Sequence, residues 1–212
     1  MNKSQWRFIM NIYKEKSRHA FNDYAERYDD TNCCNHAKKL YKDIIKEVEN
    51  ISFNSMLDVG CGTGEIINII KNKNDKAEYY GLDLSENMIK AAGNKLGNEV
   101  DLIVSDSENL PYENNKFDLI LCNDSFHHYP NPLKVLGEMH RVLKDSGYLL
   151  IGECYQPIIS REIMNVFMKF GRDGDVKIYS KKEFIKMLNE VGFKDIDYKK
   201  VNHTSCVIKA KK

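Results

Sequence analysis

Residues 56–65 read Met-Leu-Asp-Val-Gly-Cys-Gly-Thr-Gly-Glu. An apolar run ends in glycines at alternating positions, Gly60, Gly62 and Gly64, and a stretch with helical spacing follows at once. Glycine permits backbone angles and close approaches that a side chain forbids. A glycine turn between a strand and a helix lets a ligand lie against bare backbone, close to the positive end of the helix dipole. That is the local design of a nucleotide-type site at the carboxyl end of a first parallel strand.

Outward from this turn, apolar runs alternate with amphipathic stretches. Strands are expected at 55–60, 78–83, 100–105, 117–122 and 147–154, and helices at 64–73, 85–96, 132–143 and 180–191. Ser85 and Ser180 stand where helix caps belong, and Glu183 follows Ser180 by three residues as in a capping box. Continuous apolar strands separated by helices predict a parallel sheet covered on both faces. Residues 193–201 and 204–209, parted only by Asn202 and His203, predict a closing antiparallel hairpin.

The 212 residues suit a single domain. We divide it into a helical cap (1–50), a cofactor-binding core (51–155), a substrate lid (156–178) and a terminal helix with its hairpin (179–212). A composition 42% hydrophobic and 30% charged, with a net charge of +1, is that of a soluble cytoplasmic protein. It gives no electrostatic footprint for nucleic acid or an anionic membrane, so a small-molecule substrate is expected. The first twenty residues mix charges into their apolar positions, unlike a signal peptide or a spanning helix. Six cysteines, paired in sequence only at Cys33–Cys34, lack zinc-type spacing, and no metal is expected.

The glycine spacing G-x-G-x-G differs from the G-x-G-x-x-G of dinucleotide binders. Asp83 ends the second strand, where a carboxylate can accept from both hydroxyls of a ribose. Asp106 ends the third strand, within reach of an adenine amino group. With LDVGCGTGE at 57–65, GLDLSENMI at 81–89, DSENLPYENNKFDLILCNDSFHHYPNP at 106–132 and SKKEFIKMLNEVGF at 180–193, the chain resembles the class I S-adenosylmethionine-dependent methyltransferases. The likeness is to their ubiquinone/menaquinone-biosynthesis (type 11) branch, to whose amino-terminal segment FNDYAERYDD at 21–30 is also similar. The resemblance implies a doubly wound, Rossmann-like α/β fold with a seven-stranded sheet of order 3-2-1-4-5-7-6, strand 7 antiparallel. It implies S-adenosyl-L-methionine as cofactor. Asp58 would hold its amino-acid end, Gly60, Gly62 and Gly64 its floor, Asp83 its ribose, Leu84 and Met88 the adenine faces, and Asp106 with Ser107 the adenine edge. Asn123 would meet the methionine moiety.

Methyl transfer from a sulfonium is an in-line displacement served mainly by positioning, and a base is needed only where the nucleophile keeps its proton. His128, in the segment after the fourth strand, is the candidate base, with Tyr24 and Tyr28 folding over the cofactor. Glu153 and Tyr155 would face the acceptor pocket. Ile159, Met164, Phe167 and Phe170, at helical spacing, would line it from the inner face of a cap. Three alternatives stand beside this reading: a nicotinamide-dependent oxidoreductase, a silent cofactor-binding subunit, and a methylase of metalloids held by Cys33 and Cys34.

Overall fold

The computed structural model describes residues 3–30, 35–168 and 170–212. Two helices open the chain, α1 (Lys3–Tyr24) and α2 (Asn35–Val48). Strands and helices then alternate: β1 (Ser55–Val59), α3 (Glu65–Lys71), β2 (Glu78–Asp83), α4 (Glu86–Leu96) and β3 (Val100–Val104). After these come β4 (Phe117–Asn123), α5 (Pro132–Val142), β5 (Leu143–Cys154), α6 (Ile158–Met168) and α7 (Lys181–Val191). A terminal hairpin, β6 (Lys194–Lys200) and β7 (Ser205–Lys211), completes the order. Among the described residues seven strands form one sheet of order β3-β2-β1-β4-β5-β7-β6, with β7 antiparallel to both its neighbours. This is the topology the sequence implied.

Successive side chains of a strand point to opposite faces, and β1 shows the consequence. Met56 joins the core under α2, α3 and α4, built on Leu40, Ile44, Ile67, Ala92 and Leu96. Leu57 and Val59 join the opposite core with Leu136 and Met139 of α5 and Phe184 and Leu188 of α7. Asp58 therefore turns toward the α2 side, and only 1% of it is exposed. Both sheet faces are covered, which explains strands apolar throughout.

Most boundaries fall within a residue or two of the expected ones. The larger departure is β5, which starts four residues early and follows α5 without a loop. Lys144-Asp145-Ser146-Gly147 has turn composition, yet Leu143 pairs with Phe117 and the extra chain is taken up by a register shift before Leu119. Ser146 takes a positive φ of 66° there. At α7 the capping box forms: Ser180 Oγ accepts from Glu183 N at 3.3 Å, and Glu183 Oε2 accepts from Ser180 N at 2.8 Å. Ser180→Ala is expected to cost about 1 kcal/mol, read as a melting point lower by ~2–4 °C in calorimetry.

Candidate active site

The glycine turn is built by three glycines, all at positive φ, with three different uses. A Cβ at Gly60 would stand 2.6 Å from Ser125 Oγ, so this position seats the turn after β4 against the turn after β1. A Cβ at Gly64 would stand 2.6 Å from Leu96 Cδ1, so Gly64 admits α4 and does not face a ligand. At Gly62 nothing lies within 4 Å of the Cβ direction, which leaves bare backbone at the floor of a cleft of about 730 Å³.

That cleft gathers most of the residues the sequence singled out. Gly60, Gly62, Asp83, Leu84, Met88, Asp106, Ser107, Asn123 and His128 line it, with Tyr28 at its amino-terminal wall. Asp83 is fixed from two sides: Oδ2 accepts from Gly62 N and Oδ1 from Ser85 N, both at 2.9 Å. Burial raises its pKa, and these two N–H donors pull the other way. Asp58 lies below the cleft lining, and neither of its carboxylate oxygens has a partner. Burial, reinforced by the charge of Asp83, pushes its pKa up to about 8.

Helix α1, part of the expected helical cap, forms a wall of the cleft through residues the sequence did not single out. Lys14, Ser17 and Phe21 line the cleft; Lys14 Nζ donates to Asp106 Oδ2 at 2.6 Å and forms an ion pair with Glu108 Oε1 at 2.8 Å. Asp106, expected at an adenine edge, thus already carries a lysine. Asn22 of α1 accepts from Ser85 Oγ at 2.6 Å and from Asn87 N at 3.1 Å, which latches the helix to the start of α4. Farther along, Asp29 accepts from Thr63 of the glycine turn at 2.7 Å. None of these partners is sequence-local, and a lone lysine in a polar helix carries no signal.

After β4 the chain turns through Asp124 at a φ of 56°. Asp124 Oδ1 lies 2.6 Å from His36 Nδ1, while His36 Nε2 reaches the Thr204 carbonyl at 3.0 Å, so this pair ties α2 to the cleft and the hairpin. The adjacent histidines divide their roles. His127 Nδ1 meets Glu153 at 2.7 and 3.0 Å, and Glu153 is fully buried beneath it. Burial works against charge on His127, but the Glu153 carboxylate, with Asp124 and Asp175 beyond, carries its pKa up to about 10. His128 behaves oppositely. Burial and the neighbouring His127 charge hold it well below the usual imidazole range, despite hydrogen bonds to the backbone at Gly174 and Asp173. Its Nδ1 lies 3.2 Å from Asp175 Oδ1 without the alignment of a hydrogen bond, and has no other partner. His128 is therefore a neutral imidazole with a free lone pair in the cleft. Donor atoms of His127, His128 and Asp175 lie within 4.8 Å of one another. His127 turns Nδ1 to Glu153 and Nε2 toward Asp175, so the cluster links the two carboxylates through one ring.

Several expectations are corrected here. Tyr24 does not line the cleft; its hydroxyl donates to Asp173 at 2.9 Å and ties α1 to the segment after α6. Glu153 orients His127 and no ligand, and Tyr155 packs on the core with Lys200 4.2 Å over its ring. Segment 156–178 does contain a helix, but Ile159, Phe167 and Phe170 face outward at 75%, 67% and 80% exposure. The expected apolar inner face is turned to the outside. Cys33 and Cys34 lie outside the described residues.

The donor set fits a cationic nucleoside. Asp83, Asp106, Glu108 and Asp124 line the cleft, with Lys14 as the cation among the described lining residues. Asp58, Asn123 Oδ1 and His128 Nδ1 are buried acceptors without partners. Four carboxylates repel a pyrophosphate, and the Gly62 N–H it would need already serves Asp83. S-adenosylmethionine, with its sulfonium and ammonium, matches this balance of charge.

Comparison with known proteins agrees. Residues 57–151 match the family described as methyltransferase domain. The chain is 30% identical to the demethylmenaquinone methyltransferase of Staphylococcus haemolyticus over 192 residues, covering 86% of this chain and 80% of that one. It is also 30% identical to the enzyme of the same name from Staphylococcus epidermidis, over 74% of this chain and 68% of the other. In fold it resembles the Burkholderia thailandensis 1,6-didemethyltoxoflavin-N1-methyltransferase, solved with bound S-adenosylhomocysteine. That match has a TM-score of 0.72 at 17% identity and covers 96% of this chain and 90% of the other. The cofactor is S-adenosylmethionine, which removes the nicotinamide alternative. The chain belongs to the class I S-adenosylmethionine-dependent methyltransferases of the ubiquinone/menaquinone-biosynthesis type.

Proposed function

We propose that this enzyme methylates a small-molecule acceptor bearing an ionisable hydrogen, chiefly by positioning, with His128 and Asp175 receiving the displaced proton. The observation that carries this reading is the unpartnered, buried Nδ1 of His128 in the same cleft as Asp83 and Gly62. When bound, the cofactor supplies an electrophilic methyl group on a cationic sulfur. Asp83 takes the ribose hydroxyls, Leu84 and Met88 flank the adenine, Ser107 offers its backbone to the adenine edge, and Asp58 and Asn123 serve the amino-acid end. Asp106 would meet the adenine amino group with Oδ1, which also accepts from Glu108 N at 2.9 Å, while Lys14 holds Oδ2.

His128 Nδ1 accepts a hydrogen bond from the acceptor and so orients its nucleophilic atom. Burial raises the pKa of Asp175, which makes it a competent proton acceptor 3.2 Å away. The His127 imidazolium, 3.7 Å from Asp175, steadies that carboxylate before the proton arrives. Segment 156–178 acts as a lid, because Val176 N and Lys177 N both donate to the His127 carbonyl and hold Asp175 against His128. Tyr28 closes the cofactor side with Phe21, whose ring centroid is 5.1 Å from that of His128. The four-part domain division follows these roles. Demethylmenaquinone, named in the relatives, is the first acceptor to test.

With methyl-labelled cofactor and a cell extract, mass spectrometry should show one metabolite gaining the label. His128→Ala should lower its turnover about a hundredfold, with S-adenosylhomocysteine affinity changed less than about threefold. Unchanged turnover would remove the proton-acceptor role. No labelled product across a broad acceptor panel, with binding intact, would favour a silent cofactor-binding subunit.

A further inference from the structure

We infer that α6 is a membrane-docking helix, lying with its outer face in the surface of an anionic bilayer. In a soluble protein an amphipathic helix turns its apolar stripe to the core. Helix α6 does the reverse. Its inward stripe is Arg161, Asn165 and Met168, spaced i, i+4, i+7. The Asn165 amide binds both the carbonyl and the N–H of Ile178, at 3.2 and 2.8 Å. Its outward stripe is Ile159, Ile163, Val166 and Phe167, continued by Phe170, and each is more than half exposed. Seven of the ten exposed large apolar side chains among the described residues fall within 158–170. No residue of α6 is buried.

The charge around the stripe selects a bilayer as the occupant. Cations bracket the stripe, and Glu162, paired with Arg161, is the exposed carboxylate within the helix. Lys200 lies over Tyr155 just ahead of the helix. Lys16 donates to the Gly171 carbonyl at 3.2 Å just beyond it, next to the exposed Arg172. An apolar face with basic flanks is the pattern of an interfacial helix, each nearby cation contributing ~1 kcal/mol toward anionic lipid. No described helix is long and apolar enough to cross a membrane, so contact with lipid would be in-plane docking. The net charge of +1 conceals all this because it averages local cations over the whole surface. Docking would let an apolar acceptor pass from lipid to the cleft under the lid, but the inference stands on the surface alone and survives if the acceptor proves polar.

The test is co-sedimentation of the purified full chain with vesicles of equimolar phosphatidylcholine and phosphatidylglycerol. Wild type should pellet with these vesicles, and at least about threefold less with pure phosphatidylcholine. Phe167→Ser/Phe170→Ser should lower the partition at least about tenfold. Ile163→Ser should lower it less, with S-adenosylhomocysteine binding showing that both variants are folded. No pelleting of wild type, or equal pelleting of wild type and both variants, overturns the proposal. So does a concentration-dependent dimer in sedimentation velocity that the same substitutions abolish.

Discussion

Asp83→Ala is expected to bind S-adenosylhomocysteine at least ~100-fold more weakly than the wild-type chain in calorimetric titration. Each Asp83 oxygen spends one acceptor site on a backbone N–H, of Gly62 or of Ser85, and each keeps another for the cleft. Two hydrogen bonds to an ionised acceptor contribute about 1.5–3 kcal/mol apiece, so losing both passes the ~2.7 kcal/mol of a hundredfold change. The substitution also frees the two N–H groups that hold the glycine turn to the start of α4. Asp83→Asn separates these effects. It keeps one acceptor and a similar volume, and should lose about ten- to thirtyfold. Equal affinity in wild type and Asp83→Ala would remove Asp83 as the ribose anchor.

Asp58→Asn should have the largest effect on stability, and it is a gain. Below pH 4 the Asp58 carboxyl is protonated in both the unfolded and the folded chain and contributes no pH dependence. As pH rises from 4 toward 8 the unfolded carboxyl ionises, while the folded one, with its pKa at about 8, keeps its proton. The unfolded state is then favoured by up to ~1.4 kcal/mol per pH unit across that window, and by a constant amount above it. The amide carries no such penalty. Melting curves of cofactor-free protein should coincide for wild type and Asp58→Asn near pH 4 and separate by several degrees at pH 8, the variant being higher. Cofactor affinity should fall in the same variant, since a nearby ammonium group favours the ionised carboxyl, a form the amide cannot take. A separation independent of pH would contradict the account of Asp58.

Local pattern made the sheet readable. Apolar runs, capping serines and the Asn202-His203 gap marked the strands, helices and hairpin, and only the first four residues of β5 escaped, because a turn-like tetrapeptide is absorbed by a register shift. Within the glycine turn the three residues looked equivalent, yet only neighbours distant in sequence show that Gly60 seats Ser125 and Gly64 admits Leu96. Periodicity found the α6 helix but not its direction, because a stripe facing the core and one facing outward have the same spacing. The two histidines were legible as a pair, while their division of labour depends on Glu153, 26 positions from His127, and on Asp175. Lys14 and Asp175 were missed because each contributes a single common side chain across a long stretch of sequence.

The account places the cofactor in the cleft between the glycine turn and α1, with the ribose on Asp83. A crystal structure of the protein with S-adenosylhomocysteine tests this most directly. The account predicts both ribose hydroxyls on the Asp83 carboxylate, the adenine beside Met88 and Leu84, and the amino-acid end near Asp58 and Asn123. A ligand seated with its ribose away from Asp83, or outside this cleft, would contradict it.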